Sequence, residues 1–218
     1  MVSDGTKGNI LYSIGIEGVE DSYNFESSVV EFTMSESLLT PSLHTTLVIQ
    51  DSIYFAPDGK VKFLDKYKGK KVSINTYKED TKQYLDTDTI LYRIDKKHQI
   101  NNQVETYNMN GIDSYALSNA RIRMAKYYNC KSPSDVVNDA LDAVGASDRF
   151  VLPSSPIRNY NAANLYPYQI IEQQAEVALD GGDPSFVHFM TFENVTGKHN
   201  FRSIRSMASA SPDRKSVV

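Results

Sequence analysis

The 218-residue chain is long enough for one large domain or two modest ones, and its 40% hydrophobic and 23% charged content is that of a globular protein. A formal net charge of −4 without a concentrated basic stripe argues against direct DNA or RNA binding. The single cysteine, Cys130, excludes an intrachain disulfide and a multi-cysteine zinc cluster, and fits folding in a reducing compartment.

The N-terminus has neither a basic region nor a long apolar run, so no signal peptide is expected. No stretch approaches the roughly 20 apolar residues that a bilayer-spanning helix needs, and no stable membrane association is expected. The 14 Tyr and 9 Phe come without any Trp, a bias toward half-buried pleated surfaces.

The first strand signal is the short apolar run from Ile10 to Ile16, suited to a sheet edge. From Ser27 to Ser35, Val30, Phe32 and Met34 alternate with Val29, Glu31 and Thr33, a strand pattern of period two. A connection containing Pro41 leads into a second strand, Leu43 to Gln50, rich in β-branched residues. Pro57-Asp58-Gly59 is a turn, and the basic run Lys66 to Lys71 reads as a solvated turn before a strand. Val72, Ile74 and Thr76 then mark one face of a third strand. Ile90, Tyr92 and Ile94 mark one face of a fourth over Thr89 to His98, and Asn101-Asn102 turns the chain into a fifth, Gln103 to Asn110. Five short strands in succession describe a small antiparallel barrel or sandwich.

Beyond residue 112 the period changes. Asp113 or Ser114 is placed to cap a helix reaching about Tyr128, with Leu117, Ala120 and Met124 on one face. Ser132 and Pro133 start a second helix that Gly145 ends. An Asn- and Pro-rich loop follows, then a third helix from about Pro167 to Leu179 closed by Asp180-Gly181-Gly182. Phe186 to Phe192 and His199 to Ile204 form a final hairpin around Asn194 to Gly197, and Met207 to Val218 reads as a flexible tail. The expected fold class is α+β, mainly antiparallel, with a first β-barrel domain over 1–112, a second, helix-containing domain over 113–206, and a tail over 207–218.

Chemistry is sought and no catalytic, cofactor-binding or metal-ligating set emerges. His44, His98, His188 and His199 stand singly; His188 and His199, on the two arms of the last hairpin, are placed to approach each other but have no carboxylate or thiol at ligand spacing. There is no Gly-x-Ser-x-Gly elbow, and Cys130 has only Lys131 beside it to lower a thiol pKa. The paired carboxylates Glu79-Asp80 and Glu17 with Glu20-Asp21 lie in polar stretches. Gly181-Gly182 follows a helix instead of preceding one, so it is no phosphate loop. Asn194-Val195-Thr196 is read as a turn, and the Tyr160, Tyr166 and Tyr168 group as core or interface packing, with carbohydrate binding the alternative.

Two stretches carry a resemblance as a pair: Val29 to Ser52, a strand, a Ser-Leu loop and a strand ending Gln-Asp-Ser, and Asn161 to Met207. In the second, Asn164-Leu165-Tyr166-Pro167-Tyr168 leads into the helix, and Phe186 to Phe189, Phe192-Glu193, Gly197 and Phe201 to Ile204 build the hairpin. The pattern resembles the baseplate hub subunits of contractile-tailed, T-even-like phages and the related hub domains of type VI secretion spikes. The resemblance implies two tail-tube-like β-barrel domains per subunit. It implies a homotrimer closing into a ring of pseudo-sixfold character, with the tail tube protein and the central spike protein as partners, located in the virion baseplate after synthesis in the host cytoplasm. Hub subunits of that family are longer, so the second barrel is expected to be incomplete here. Alternatives are a secretion-system spike hub and a carbohydrate-binding or hydrolytic tail module.

Overall fold

The computed structural model describes residues 9–18, 28–52, 67–78, 83–101 and 104–209. The expected Pro57-Asp58-Gly59 turn, the Glu20-Asp21 and Glu79-Asp80 pairs and the residues beyond 209 lie outside them. Eleven strands and four helices occur among the described residues, and they divide into two compact units. One comprises residues up to 35, 44–113 and 193–196; the other comprises 36–43, 114–192 and 197 onward.

The first unit is built on a single antiparallel sheet. Its strands are β1 (Asn9–Ile16), β2 (Val29–Ser37), β3 (Thr40–Ser52), β4 (Lys71–Lys78), β5 (Gln83–Asn101) and β6 (Val104–Ile112), in spatial order β1-β4-β5-β6-β3-β2, and the sheet curls as a half-barrel. The buried face follows the period-two pattern: Val72, Ile74 and Thr76 on β4, Thr45, Leu47 and Ile49 on β3, and Tyr107 and Met109 on β6. Tyr67 is buried in the turn before β4, while Lys68, Lys70 and Lys71 are exposed, the solvated turn that the basic run suggests.

On β5 the expected face is corrected. Thr87, Thr89 and Leu91 point inward, not Ile90 and Tyr92, and a register shift between Leu91 and Arg93 returns Ile94 to the buried side. A bulge adds one residue and so swaps the faces beyond it, which alternation alone cannot show. Gly111 is where three strands meet closely: a Cβ there would collide with Oγ1 of both Thr45 and Thr89, whose hydroxyls share a 3.0 Å hydrogen bond. Nearby, the Asn110 side chain accepts from Thr46 Oγ1 at 3.2 Å and donates to Asp95 Oδ1 at 3.2 Å, linking β3, β6 and β5 through one buried amide.

The second unit is layered from α1 (Ser114–Arg121), α2 (Pro133–Val144), α3 (Pro167–Ala175), the short α4 (Ile204–Ala208) and two small sheets. β7 (Met124–Lys131) pairs antiparallel with β9 (Arg158–Leu165), while β10 (Phe186–Thr191), β11 (Lys198–Ser203) and β8 (Arg149–Val151) form a sheet in the order β10-β11-β8, with β8 parallel to β11. Helix α2 forms as expected. The Ser132 hydroxyl accepts from the Asp135 N–H while the Asp135 carboxylate accepts from the Ser132 N–H, Pro133 takes the first turn, and Gly145 closes the helix at φ +82°. Its apolar face (Val136, Val137, Ala140, Leu141) packs in one cluster with Ile170, Ile171 and Phe201.

Four expectations change in this unit. The first helix stops at Arg121 and residues from Met124 onward form β7. The cause is visible at Asp139 of α2: its carboxylate accepts from both Lys126 Nζ and Tyr128 Oη. Residues two apart share a face only on a strand. The Asn-rich loop contains β9, with Ala162 fully buried between exposed Asn161 and Ala163. The third helix ends at Ala175, and Leu179 instead bridges to Ser155. Met207 and Ala208, read as tail, belong to α4. No helix among the described residues is long and apolar enough to cross a membrane.

Candidate functional site

Open sheet edges are the first feature with functional consequence. In the six-stranded sheet, β1 and β2 each have a strand neighbour on one side only among the described residues. An unpaired strand edge presents a row of N–H and C=O groups that another chain can extend. Beside this edge β2 exposes Val30 (63%). The β2–β3 connection, which belongs to the second unit, exposes Leu38 and Leu39 (88%). In the second unit the β7–β9 ribbon is also short of partners: of the β7 side chains only Tyr128 is buried, while Tyr127 stands exposed. A two-stranded ribbon has little stability of its own. Here Tyr128 and Asp139 anchor it to α2, and burial, then the hydrogen bond to the Asp139 carboxylate, raise the Tyr128 pKa. Burial pushes the Asp139 pKa up, but hydrogen bonds from Lys126 and Tyr128 outweigh it and hold the carboxyl below its ordinary value.

The second feature is a buried histidine pair. His188 on β10 and His199 on β11 lie on adjacent strands, and His188 Nε2 meets His199 Nδ1 at 3.1 Å with the rings stacked. Tyr168 of α3 sets its ring edge-on to both, and Tyr115 of α1 packs against His199 with ring centroids 5.1 Å apart. One ring must donate and the other accept, so the contact holds a single proton. Burial, then the charge of the neighbouring ring, keeps the His188 pKa well below its ordinary value. Burial, then the Arg149 guanidinium, lowers that of His199 to about 4. His199 Nε2 is buried without a hydrogen-bond partner among the described residues. The pair is therefore neutral near pH 7 and knits α1 and α3 to the hairpin. No group of three or more His, Cys, Asp or Glu able to hold a metal occurs among the described residues. The sequence placed these two histidines on facing arms; their direct contact and burial follow from the register His188 to Phe201 and Met190 to His199.

The other residues singled out from sequence separate. Cys130 is exposed on β7, at a register shift with φ +50°, its N–H donating to Asn159 Oδ1 at 2.9 Å. Gly181 and Gly182 form a tight turn at positive φ between Asp180 and Asp183, whose N–H groups donate to each other's carbonyls. Asn194 caps its turn by accepting from the Thr196 N–H. The three tyrosines do not act together: Tyr160 packs beside Tyr128, Tyr166 lies under the Arg123 guanidinium at 3.9 Å, and Tyr168 faces the histidines.

A third feature is a groove of about 510 Å³ in the second unit, lined by α3, the start of β10 and the β2–β3 connection. Neither a protein-family model nor a curated protein matches the sequence. Solved structures do match in fold. The 43 kDa tail protein of prophage MuSo2 from Shewanella oneidensis has a TM-score of 0.57 at 9% identity, over 89% of this chain and 54% of that one. The c3393 protein of E. coli, a type VI secretion component with structural similarity to the T4 tail proteins gp27 and gp5, has a TM-score of 0.56 at 13% identity, over 89% and 50%. A tail protein from Neisseria meningitidis MC58 has a TM-score of 0.50 at 11% identity, over 89% and 50%. The chain thus spans about half the length of each of these three structures. Its fold is that of the phage tail and type VI secretion proteins it matches, as the resemblance read from the sequence implies.

Proposed function

We propose that the chain is a structural protein of a phage tail, a baseplate hub subunit whose copies close into a trimeric ring of pseudo-sixfold character joining the tail tube to the central spike. The observation that carries this reading is the six-stranded curled sheet whose edge strands β1 and β2 lack a second neighbour among the described residues, in a fold shared with tail proteins. A curled sheet with unpaired edges is completed by a neighbour, and a closed ring leaves no edge over. The apolar side chain exposed on β2, Val30, suits such burial. Two tube-like domains per subunit, one ending near residue 112 and one beginning near 113, would turn three subunits into six similar blocks around a channel. The work asked of such a protein is shape and contact, not catalysis.

The fold likeness to a type VI secretion component equals that to the prophage tail protein within 0.01 of TM-score, 0.56 against 0.57. A secretion-system spike hub is therefore the second reading, and the genes flanking this one separate the two. Sedimentation velocity on the complete protein tests the shared claim. A species of three times the monomer mass is expected, and a monomer persisting to the highest soluble concentration would count against the ring.

A further inference from the structure

The groove in the second unit has an unusual lining. Phe186, Val187 and His188 are consecutive on β10, and successive residues of a strand point to opposite faces of its sheet. A cavity touching all three therefore runs along the edge of β10 and not over one face. That edge is open: β10 has β11 on one side and no strand on the other among the described residues. The opposite wall is one face of α3 and its C-terminal cap, Tyr168, Glu172, Ala175 and Glu176, at three- and four-residue spacing. Leu38 and Leu39 close one side. No lysine or arginine lines the groove, and Glu172 and Glu176 form no ion pair among the described residues. The cavity is thus a slot beside a backbone edge that no described strand covers, with more apolar than polar lining and two carboxylates without an ion pair on its helical wall.

We propose that this slot receives an extended strand from a partner protein, with apolar side chains at alternate positions and a lysine or arginine facing Glu172 and Glu176. Backbone pairing to β10 supplies the affinity, as in other cases where a peptide extends a sheet edge, and the side-chain pockets supply the selectivity. The carboxylates select charge: an acidic strand would bring like charges together as the groove loses water, and a basic one would compensate them. A helical ligand fits the lining less well, because an edge strand offers its backbone groups in a line that only another extended backbone matches. The proposal is separate from ring closure, which concerns the β1 and β2 edges of the other unit.

The test uses the full chain and three fluorescein-labelled synthetic heptapeptides read by fluorescence anisotropy. The first alternates valine and threonine between terminal lysines, the second has glutamates in place of the lysines, and the third is the lysine peptide with a central proline. The lysine peptide should bind about tenfold or more tightly than the glutamate peptide. The proline peptide should lose binding, because proline cannot donate to the ladder. Glu172→Lys/Glu176→Lys, a change of two surface side chains whose folding circular dichroism checks, should invert the preference between the first two. Equal binding of all three peptides, no binding of the lysine peptide, or an unchanged preference in the double variant would overturn the proposal. Self-association of the wild type that the double variant abolishes would assign the slot to a second copy of the chain, and would equally overturn it.

Discussion

The two units reach a buried core by different routes. The first takes its core mainly from alternating residues of β1, β3, β4, β5 and β6 and ties neighbouring strands with polar contacts, Thr45 to Thr89 and Asn110 to Thr46 and Asp95. Its edge strands, β1 and β2, have a strand neighbour on one side only among the described residues. The second wraps short strands with capped helices and interlocks them through aromatic rings and a histidine pair. The difference teaches that the two are vulnerable to different insults. A sheet held by register fails when its closest backbone approach is forced apart. A helix-packed hairpin fails when its centre is hollowed or charged.

The largest effect is expected from hollowing. Phe201 is fully buried and stacks on Phe186 with ring centroids 4.9 Å apart. Phe201→Ala should cost about 3–5 kcal/mol in chemical denaturation. If the units are held separately, amide exchange should quicken in α2, α3, β10 and β11 while β4 to β6 keep their protection. Uniform loss across both units would break the comparison.

Charging comes next. Because the His199 pKa is depressed in the fold to about 4, against about 6.5 when unfolded, the unfolded chain binds more protons between these values. Stability is unaffected above pH 6.5 and falls as pH drops from about 6.5 toward 4, by about 3 kcal/mol from this ring alone. Carboxylates titrate in the same window, so the measurement is a difference: His188→Gln/His199→Gln should show a shallower loss over that range than wild type. Identical pH profiles would show that the pair does not respond to acid.

Forcing the backbone apart tests the first unit. Gly111→Ala places a methyl between Thr45 and Thr89 and should cost about 2 kcal/mol by overpacking. Gly111→Ala/Thr45→Ser should recover little, since the serine keeps the colliding oxygen, whereas Gly111→Ala/Thr45→Ala/Thr89→Ala should recover most of it. The smallest effect is at a cap. Ser132→Ala should lower stability by about 1 kcal/mol by removing the acceptor for the Asp135 N–H, with no change in the first unit's exchange.

Legibility followed how local the physical cause was. Helix α2 was readable because its start and stop are single residues, Ser132, Pro133 and Gly145, acting within one turn. The β4 face was readable because Val72, Ile74 and Thr76 alternate without interruption. β5 was misread because the bulge after Leu91 is set by its pairing with Gly111 and Asn110 of β6 across the hairpin, which alternation along β5 alone does not show. β7 was read as helix because Leu117, Ala120 and Met124 keep a helical spacing. What ends the helix is tertiary: the pairing with β9 and the shared grip of Lys126 and Tyr128 on Asp139. β9 was hidden by its asparagines, residues that disfavour strands unless a partner supplies the ladder. For the candidate sites, the sequence placed His188 and His199 on facing arms. It had no signal for the slot beside β10, because Leu38, Glu172 and Val187 come together only in three dimensions.

The ring is the claim on which the functional account turns, and negative-stain electron microscopy of the complete protein tests it most directly. The account predicts closed particles with a central channel and threefold or near-sixfold end views. Single compact particles without a channel, at every concentration imaged, would contradict it.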